Sequence, residues 1–461
     1  MSLDDAFYAI LFIAGLIVFG KWIRRKWTLL QNLFLPSSIV AGFLALLLGP
    51  QILGRLGSDD FNGLWSENIL AAWGSLPGLL ISVVFAALFL GKTLPNPKEI
   101  WEKAGPMVAH GQTLAWGQYV VGLLLAWLVL VPFFDSSPLA GALIEIGFEG
   151  GHGTAAGLGD TFKELGFADG ADLALGLATI GVVAGVLLGT LFINWAVWRG
   201  HLKKPGQTTE EKEELAEHES REPTPEEAFK DKAIEPLSFH FGLVAIAIGL
   251  GWLLLEGMIQ AEARFLVPLG WPELLRHIPL FPLAMIGGVM VQIAAQRLGF
   301  AFLINRALIN RIAGTSLDIL IVSALGALSL EAIGTNIGPF LLLAAAGIVW
   351  NCFGFLVLAR VFFRKNWVAN GLANFGQGMG MTVIGLLLVR MSDPRNRTGA
   401  MEAFGYKQLL FEPVVGGGLF TAASLPLIYQ FGPVPVLIGV TVVMFGWLFF
   451  GWWMFYRKAS A

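Results

Sequence analysis

Apolar runs of about 20 residues, the length a helix needs to cross ~30 Å of hydrocarbon, recur along the chain between short polar stretches. Eleven of them predict spanning helices, at 4–20, 34–50, 69–91, 107–134, 170–198, 237–259, 278–296, 315–333, 338–360, 408–430 and 434–456. Two further apolar segments, 138–160 and 367–391, are so interrupted by glycine and polar residues that neither reads as a simple span. Only one long stretch is hydrophilic: 200–235, dense in charge of both signs and containing Pro205, Pro223 and Pro225. It predicts a solvated linker at 199–236 between an N-terminal membrane half, 1–198, and a C-terminal half, 237–430. Residues 431–461 then form one additional helix.

Composition fits this pattern. Hydrophobic residues make up 56% of the chain and charged residues 14%, against about 25% charged in an ordinary soluble domain; mean hydropathy is +0.69. A lone cysteine, Cys352, leaves no disulfide framework and no cysteine metal site. The net charge of −3 gives no reason to expect a nucleic-acid partner. No P-loop, no H-E-x-x-H and no nucleophile elbow is present, so neither an enzyme nor an ATP-driven pump is expected, and no cofactor. The N-terminus has no basic n-region or small-residue cleavage site, so the first apolar run is expected to be retained.

Lysine and arginine accumulate on the cytoplasmic side of membrane proteins. Placing the N-terminus outside, in an inner (plasma) membrane, puts all basic residues except Arg55, Lys163, Arg264, Arg276 and Arg390 on the inner side, together with the linker and the C-terminus. In that arrangement 138–168 enters and leaves on the outer face, and 367–391 on the inner face. Both then read as re-entrant or broken-helix hairpins. Non-helical backbone at membrane depth is tolerated only where protein or a wet cavity surrounds it, so two opposed hairpins imply a cavity.

The halves also resemble each other. The run from Pro36 to Gly42 in the second helix has a counterpart from Pro282 to Gly288, and Gly151-His152-Gly153 has one in Gly376-Gln377-Gly378. The predicted fold is therefore all-α and polytopic: two inverted five-helix repeats, each with a hairpin, plus the C-terminal helix. Inverted repeats with discontinuous helices meeting near the midplane mark secondary transporters.

The hairpins hold the candidate chemistry. In the first, Gly150, Gly151 and Gly153 allow a chain break, and His152 and Thr154 add polar groups; in the second stand Asn374, Gln377, Gly378, Gly380 and Thr382. Amides and free backbone N–H groups suit a carboxylate or zwitterion, and unwound carbonyls suit a bare cation, which places Na⁺ near Gly151, Thr154, Gly376 and Gly378. The competing readings are a glycine-lined helix contact with a satisfied buried histidine, and amides that merely tie the second hairpin to its neighbours. Intramembrane acids usually mark ion or proton handling; Glu149 and Glu412 flank the expected cavity, with Thr179 near the first hairpin's tip. Glu145 is expected to be near solvent and Asp318 to start a helix. Arg390 could clamp a substrate carboxylate or face the cytoplasm.

The run Gly150-Gly-His-Gly-Thr154, Gly166-Phe followed by Ala178-Thr-x-Gly181, the spaced glycines 376, 378 and 380, and the Pro36 region resemble the bacterial sodium/glutamate symporter family over roughly 5–430. The resemblance implies an inverted-repeat fold, sodium-coupled uptake of an acidic amino acid, a homodimer, and elevator-like movement of the hairpin domain. The chain departs from that pattern in carrying Glu149, Glu412 and an eleventh helix. Carboxylates beside a carboxylate substrate repel it unless cations or protons neutralise them. Proton coupling through Glu149 or Glu412 is therefore a second expectation. A passive channel and a membrane-embedded sensor are further alternatives.

Overall fold

A computed structural model describes residues 3–32, 35–55, 63–92, 97–202, 236–393 and 397–457, and among these every regular element is helical. The expected linker lies almost wholly outside the described residues. Among the described residues, ten helices are long and apolar enough to cross a membrane.

The first half consists of α1 (Leu3–Lys26), α2 (Ser37–Leu47), α3 (Glu67–Ala86) and α4 (Pro97–Leu125), which runs on in helical form to Phe134. An interrupted stretch follows: a 3₁₀ turn at Pro138–Ala142, a π turn at Glu145–Glu149, α5 (Gly151–Gly157) and α6 (Gly159–Glu164). The half ends with α7 (Gly170–Trp198). The second half runs α8 (Pro236–Ala261), α9 (Phe281–Arg297), α10 (Arg306–Gly326), α11 (Leu330–Thr335), α12 (Ile337–Phe353, helical to Phe362) and α13 (Trp367–Ser392). After it come α14 (Ala400–Phe411), α15 (Leu419–Phe431) and α16 (Pro433–Gly451).

Three boundaries depart from the sequence expectation. The helix expected at 315–333 is α10, which starts at Arg306 because the Asn305 side chain caps it, accepting from the N–H groups of Ala307 and Leu308. Asp318 therefore lies inside a helix instead of starting one. The segment expected at 278–296 yields 17 helical residues. The span expected at 408–430 is two helices, α14 and α15, separated by a turn from Glu412 to Gly418.

The helices form two packed bodies. In one, α1 packs on α2, α2 and α3 on α10, α9 on α3, and α8 on α9. Ala9, Ile13, Ala45, Trp73 and Val322 form part of its core. Lipid tails are as apolar as leucine, so close van der Waals fit, not exclusion from water, drives such contacts in a membrane. The α8–α9 pair shows this: a Cβ on Gly251 would fall 2.5 Å from the backbone N of Ala284, so only glycine permits that approach. The other body gathers α4, the interrupted stretch, α7 and α12–α16: α16 and α14 pack on α4, α7 on α13, and α5 on α7. The bodies touch where α5 meets α3 and α10. There Ile81 of α3 lies against Gly153 and Gly157.

Candidate functional site

The first break falls at Gly151, whose φ of 72° is open to glycine and costly for other residues. It turns the chain from the π turn into α5, and both flanks carry buried polar groups. Glu145 is fully buried, contrary to its expected place near solvent. Its Oε2 accepts from Tyr119 Oη at 2.6 Å, and its Oε1 accepts from Gly416 N at 2.7 Å and Thr421 Oγ1 at 2.9 Å. Glu149, one helical turn on, accepts only a long contact of 3.4 Å from Gln118 Nε2. Beyond the break, His152 Nε2 lies 3.0 Å from Thr179 Oγ1, whose own proton goes to Leu175 O at 3.1 Å. That arrangement makes Nε2 the donor and leaves Nδ1 an acceptor, buried and without a partner. The hydroxyl of Thr154 is likewise buried and unpartnered.

The second break falls at Gly380 and Met381 in α13. Met381 adopts φ 65°, ψ 175°, a conformation that costs a non-glycine residue about 1–3 kcal/mol. The chain reverses there: a Cβ on Gly376 would fall 2.7 Å from Gly385 Cα, although nine residues of straight helix would hold the two far apart. Gly376 is thus packed against the returning arm, and only glycine permits that approach. Gly378 O accepts from Gln118 Nε2 at 2.8 Å and Asn351 Nδ2 at 3.0 Å. Asn374 Nδ2 donates to Met107 O at 3.1 Å and lies 2.9 Å from His110 Nδ1.

Gln377 is bound from the following helix. Its Oε1 accepts from Lys407 Nζ at 2.7 Å and Gln408 Nε2 at 2.8 Å, and its Nε2 donates to Gln408 Oε1 at 3.2 Å. His152 and Gln377, the central residues of the two Gly-x-Gly runs, thus each bond a helix that follows in the chain, α7 for His152 and α14 for Gln377.

A third break, at Glu412–Gly418, was not expected. Gly416 and Gly417 have φ of 72° and 99°. Gly416 N bonds Glu145, and Glu412 Oε1 accepts from Thr382 Oγ1 at 3.0 Å while its Oε2 is buried without a partner. The turn is held to both hairpins by these carboxylates.

The three breaks converge. A Cβ on Gly151 would collide with the sulfur of Met381, and one on Gly417 would fall 2.6 Å from Thr154 Oγ1. Gly150, Gly151, His152, Thr154, Asn374, Gln377, Gly378, Gly380, Glu149, Glu412, Thr179 and Thr382 therefore all lie in or beside one cluster, with all but Thr179, Thr382 and Gly150 classed as buried. Gly153 instead faces Ile81 of α3. Arg390 is exposed at the far end of the second hairpin, away from the cluster. Besides Glu145, which was expected near solvent, the cluster holds residues that sequence reasoning did not assign to the site: Gln118, Tyr119, Asn351, Lys407, Gln408 and Thr421. Gln118 and Asn351 carried a usable signal, being amides inside long apolar runs.

Buried polar groups meeting at helix breaks inside an apolar bundle are the construction of a membrane carrier. Residues 2–389 match the sodium/glutamate symporter family, and the chain belongs to that family. No curated protein matches it at a significant level. The third break and Lys407 lie beyond the matched residues.

Proposed function

We propose that the chain is a secondary active transporter that carries a small carboxylate-bearing solute, glutamate by family membership, in symport with Na⁺ at the meeting point of the three breaks. The observation behind this reading is the contact between Gly151 and Met381, which joins two helix breaks from different halves. Around it, Thr154 Oγ1, His152 Nδ1, Gln118 Oε1, Asn374 Oδ1 and Glu412 Oε2 are buried without partners. Such groups are costly to bury unsatisfied and are the natural ligands for a solute and its ion. We read the two hairpins as re-entrant halves of an inverted repeat. The body built on α1–α3 and α8–α10 acts as a scaffold, through which a homodimer forms, and the hairpin body slides against it across the Ile81 contact. The N-terminus is outside and the 199–236 linker inside, in the plasma membrane.

Uptake of labelled glutamate into proteoliposomes under an imposed Na⁺ gradient tests the reading. Uptake that collapses in choline supports it, whereas equal uptake in choline and sodium overturns the sodium coupling.

A second reading keeps the fold and makes a proton the coupling ion. It is motivated by Glu412 Oε2, which has no partner, and by Glu149, which has only one long contact. If Glu149→Gln and Glu412→Gln both leave the pH dependence of uptake intact, neither residue carries the proton.

A further inference from the structure

Lys407 is 0% exposed, and among the described residues it forms no ion pair within 4.0 Å. Its Nζ donates to Gln377 Oε1 at 2.7 Å and sits 3.6 Å from the centroid of the Phe411 ring. An ammonium drawn this deep into a membrane protein is costly, and one amide oxygen with two aromatic faces, Phe411 and the more distant Phe404 at 5.4 Å, is a small compensation. The space around it is nevertheless shaped for it. A Cβ on Gly111 of α4 would fall 2.5 Å from Lys407 Cε and 2.7 Å from Nζ, so the side chain needs glycine opposite. The same point lies 3.2 Å from Asn374 Oδ1, a buried oxygen with no hydrogen-bond partner. One bonded amide oxygen, a second amide oxygen left unpartnered nearby and two ring faces are groups that can hold a small monovalent cation, and here the chain supplies the cation.

We propose that Lys407 is a tethered cation: its ammonium fills a monovalent-cation niche formed by Gln377, Asn374 and Phe411, holding one positive charge permanently where a free ion would otherwise bind. This rests on the transport site assigned above, but on neither the solute nor the identity of its coupling ion. Lys407 is then a positioning residue. It orients Gln377 and offsets the acidic character that Glu149 and Glu412 bring to the breaks, so the carrier needs one free cation fewer to balance its site.

The test is thermal unfolding of the full-length protein in detergent, wild type against Lys407→Ala, titrated at constant ionic strength with chlorides of sodium, potassium, propylammonium and tetramethylammonium. Emptying the niche opens it to free ions. Lys407→Ala is expected to gain a stabilisation by at least one of the three small cations, on the order of 1–2 °C near saturation and absent from the wild type. Tetramethylammonium, too large for the niche, gives none. A variant that answers every chloride as the wild type does overturns the proposal, as does one stabilised equally by tetramethylammonium. A mere brace for Gln377 predicts the first of those results. Where Lys407→Ala does not assemble, Lys407→Ser, which also empties the niche, carries the same two outcomes. Because unfolding is read without uptake, failure of sodium symport in the proteoliposomes would leave this result standing by itself.

Discussion

Gly151 and Met381 touch across a gap that has no room for one more carbon: a Cβ on the glycine would run into the methionine sulfur. Each is the residue at which its hairpin breaks, and each has a positive φ. Substitution at Gly151 should therefore disturb both hairpins. Gly151→Ala is expected to destabilise the protein by about 1–3 kcal/mol through backbone strain alone, before the collision is counted. Adding Met381→Ala should recover the steric part and leave the strain. A double-mutant cycle in thermal unfolding measures this, with a coupling of about 1 kcal/mol or more expected.

Glu145 holds the third break to the first through three donors. Glu145→Gln turns one of its oxygens into an NH₂ group facing groups that also donate. A loss of about 1–3 kcal/mol in stability is expected, with Tyr119→Phe costing less because it removes one neutral partner. Chemical unfolding of the two variants side by side checks the order.

The proposed sliding of one body past the other predicts that a covalent link between them blocks uptake. The would-be Cβ of Gly157 lies 3.2 Å from Ile81 Cβ, slightly inside the ~3.5–4.5 Å of a disulfide and within reach of small adjustment. The pair Ile81→Cys and Gly157→Cys, made in a Cys352→Ser background to remove the lone native thiol, should cross-link under mild oxidant. Uptake is expected to stop on oxidation and return on reduction. Full uptake by the cross-linked protein would rule out sliding at this contact.

Arg390 offers the contrasting case. It is exposed, and surface changes away from special features are usually worth within ±0.5 kcal/mol. Arg390→Ala should leave the apparent substrate affinity unchanged within about twofold, measured from uptake against solute concentration.

The breaks at Gly151 and at Gly380–Met381 were legible because glycines and amides interrupt otherwise apolar runs, a signal that survives without any knowledge of packing. The third break was not, since Pro413, Val414 and Val415 keep the run hydrophobic and the glycines that turn the chain come after them. Lys407 was misplaced by a rule that works for most basic residues. Counting lysines and arginines to orient a membrane protein treats each as a solvent marker, and this one points inward to Gln377. Arg306 misled in a related way. It reads as a loop residue, but it opens α10 and its guanidinium donates to the Ala87 and Leu90 carbonyls beyond the end of α3. In both cases a long side chain reached a specific partner, and reach is invisible in a one-dimensional pattern.

The last helix, α16, packs along α4 and against α15, so it belongs to the hairpin body and not to the scaffold. If that body is the one that moves, as proposed, its end is a handle on the moving part. A fluorophore fused behind the last residue, paired with a second dye on α1, would then report the separation of the two bodies in single molecules, with no label near the solute.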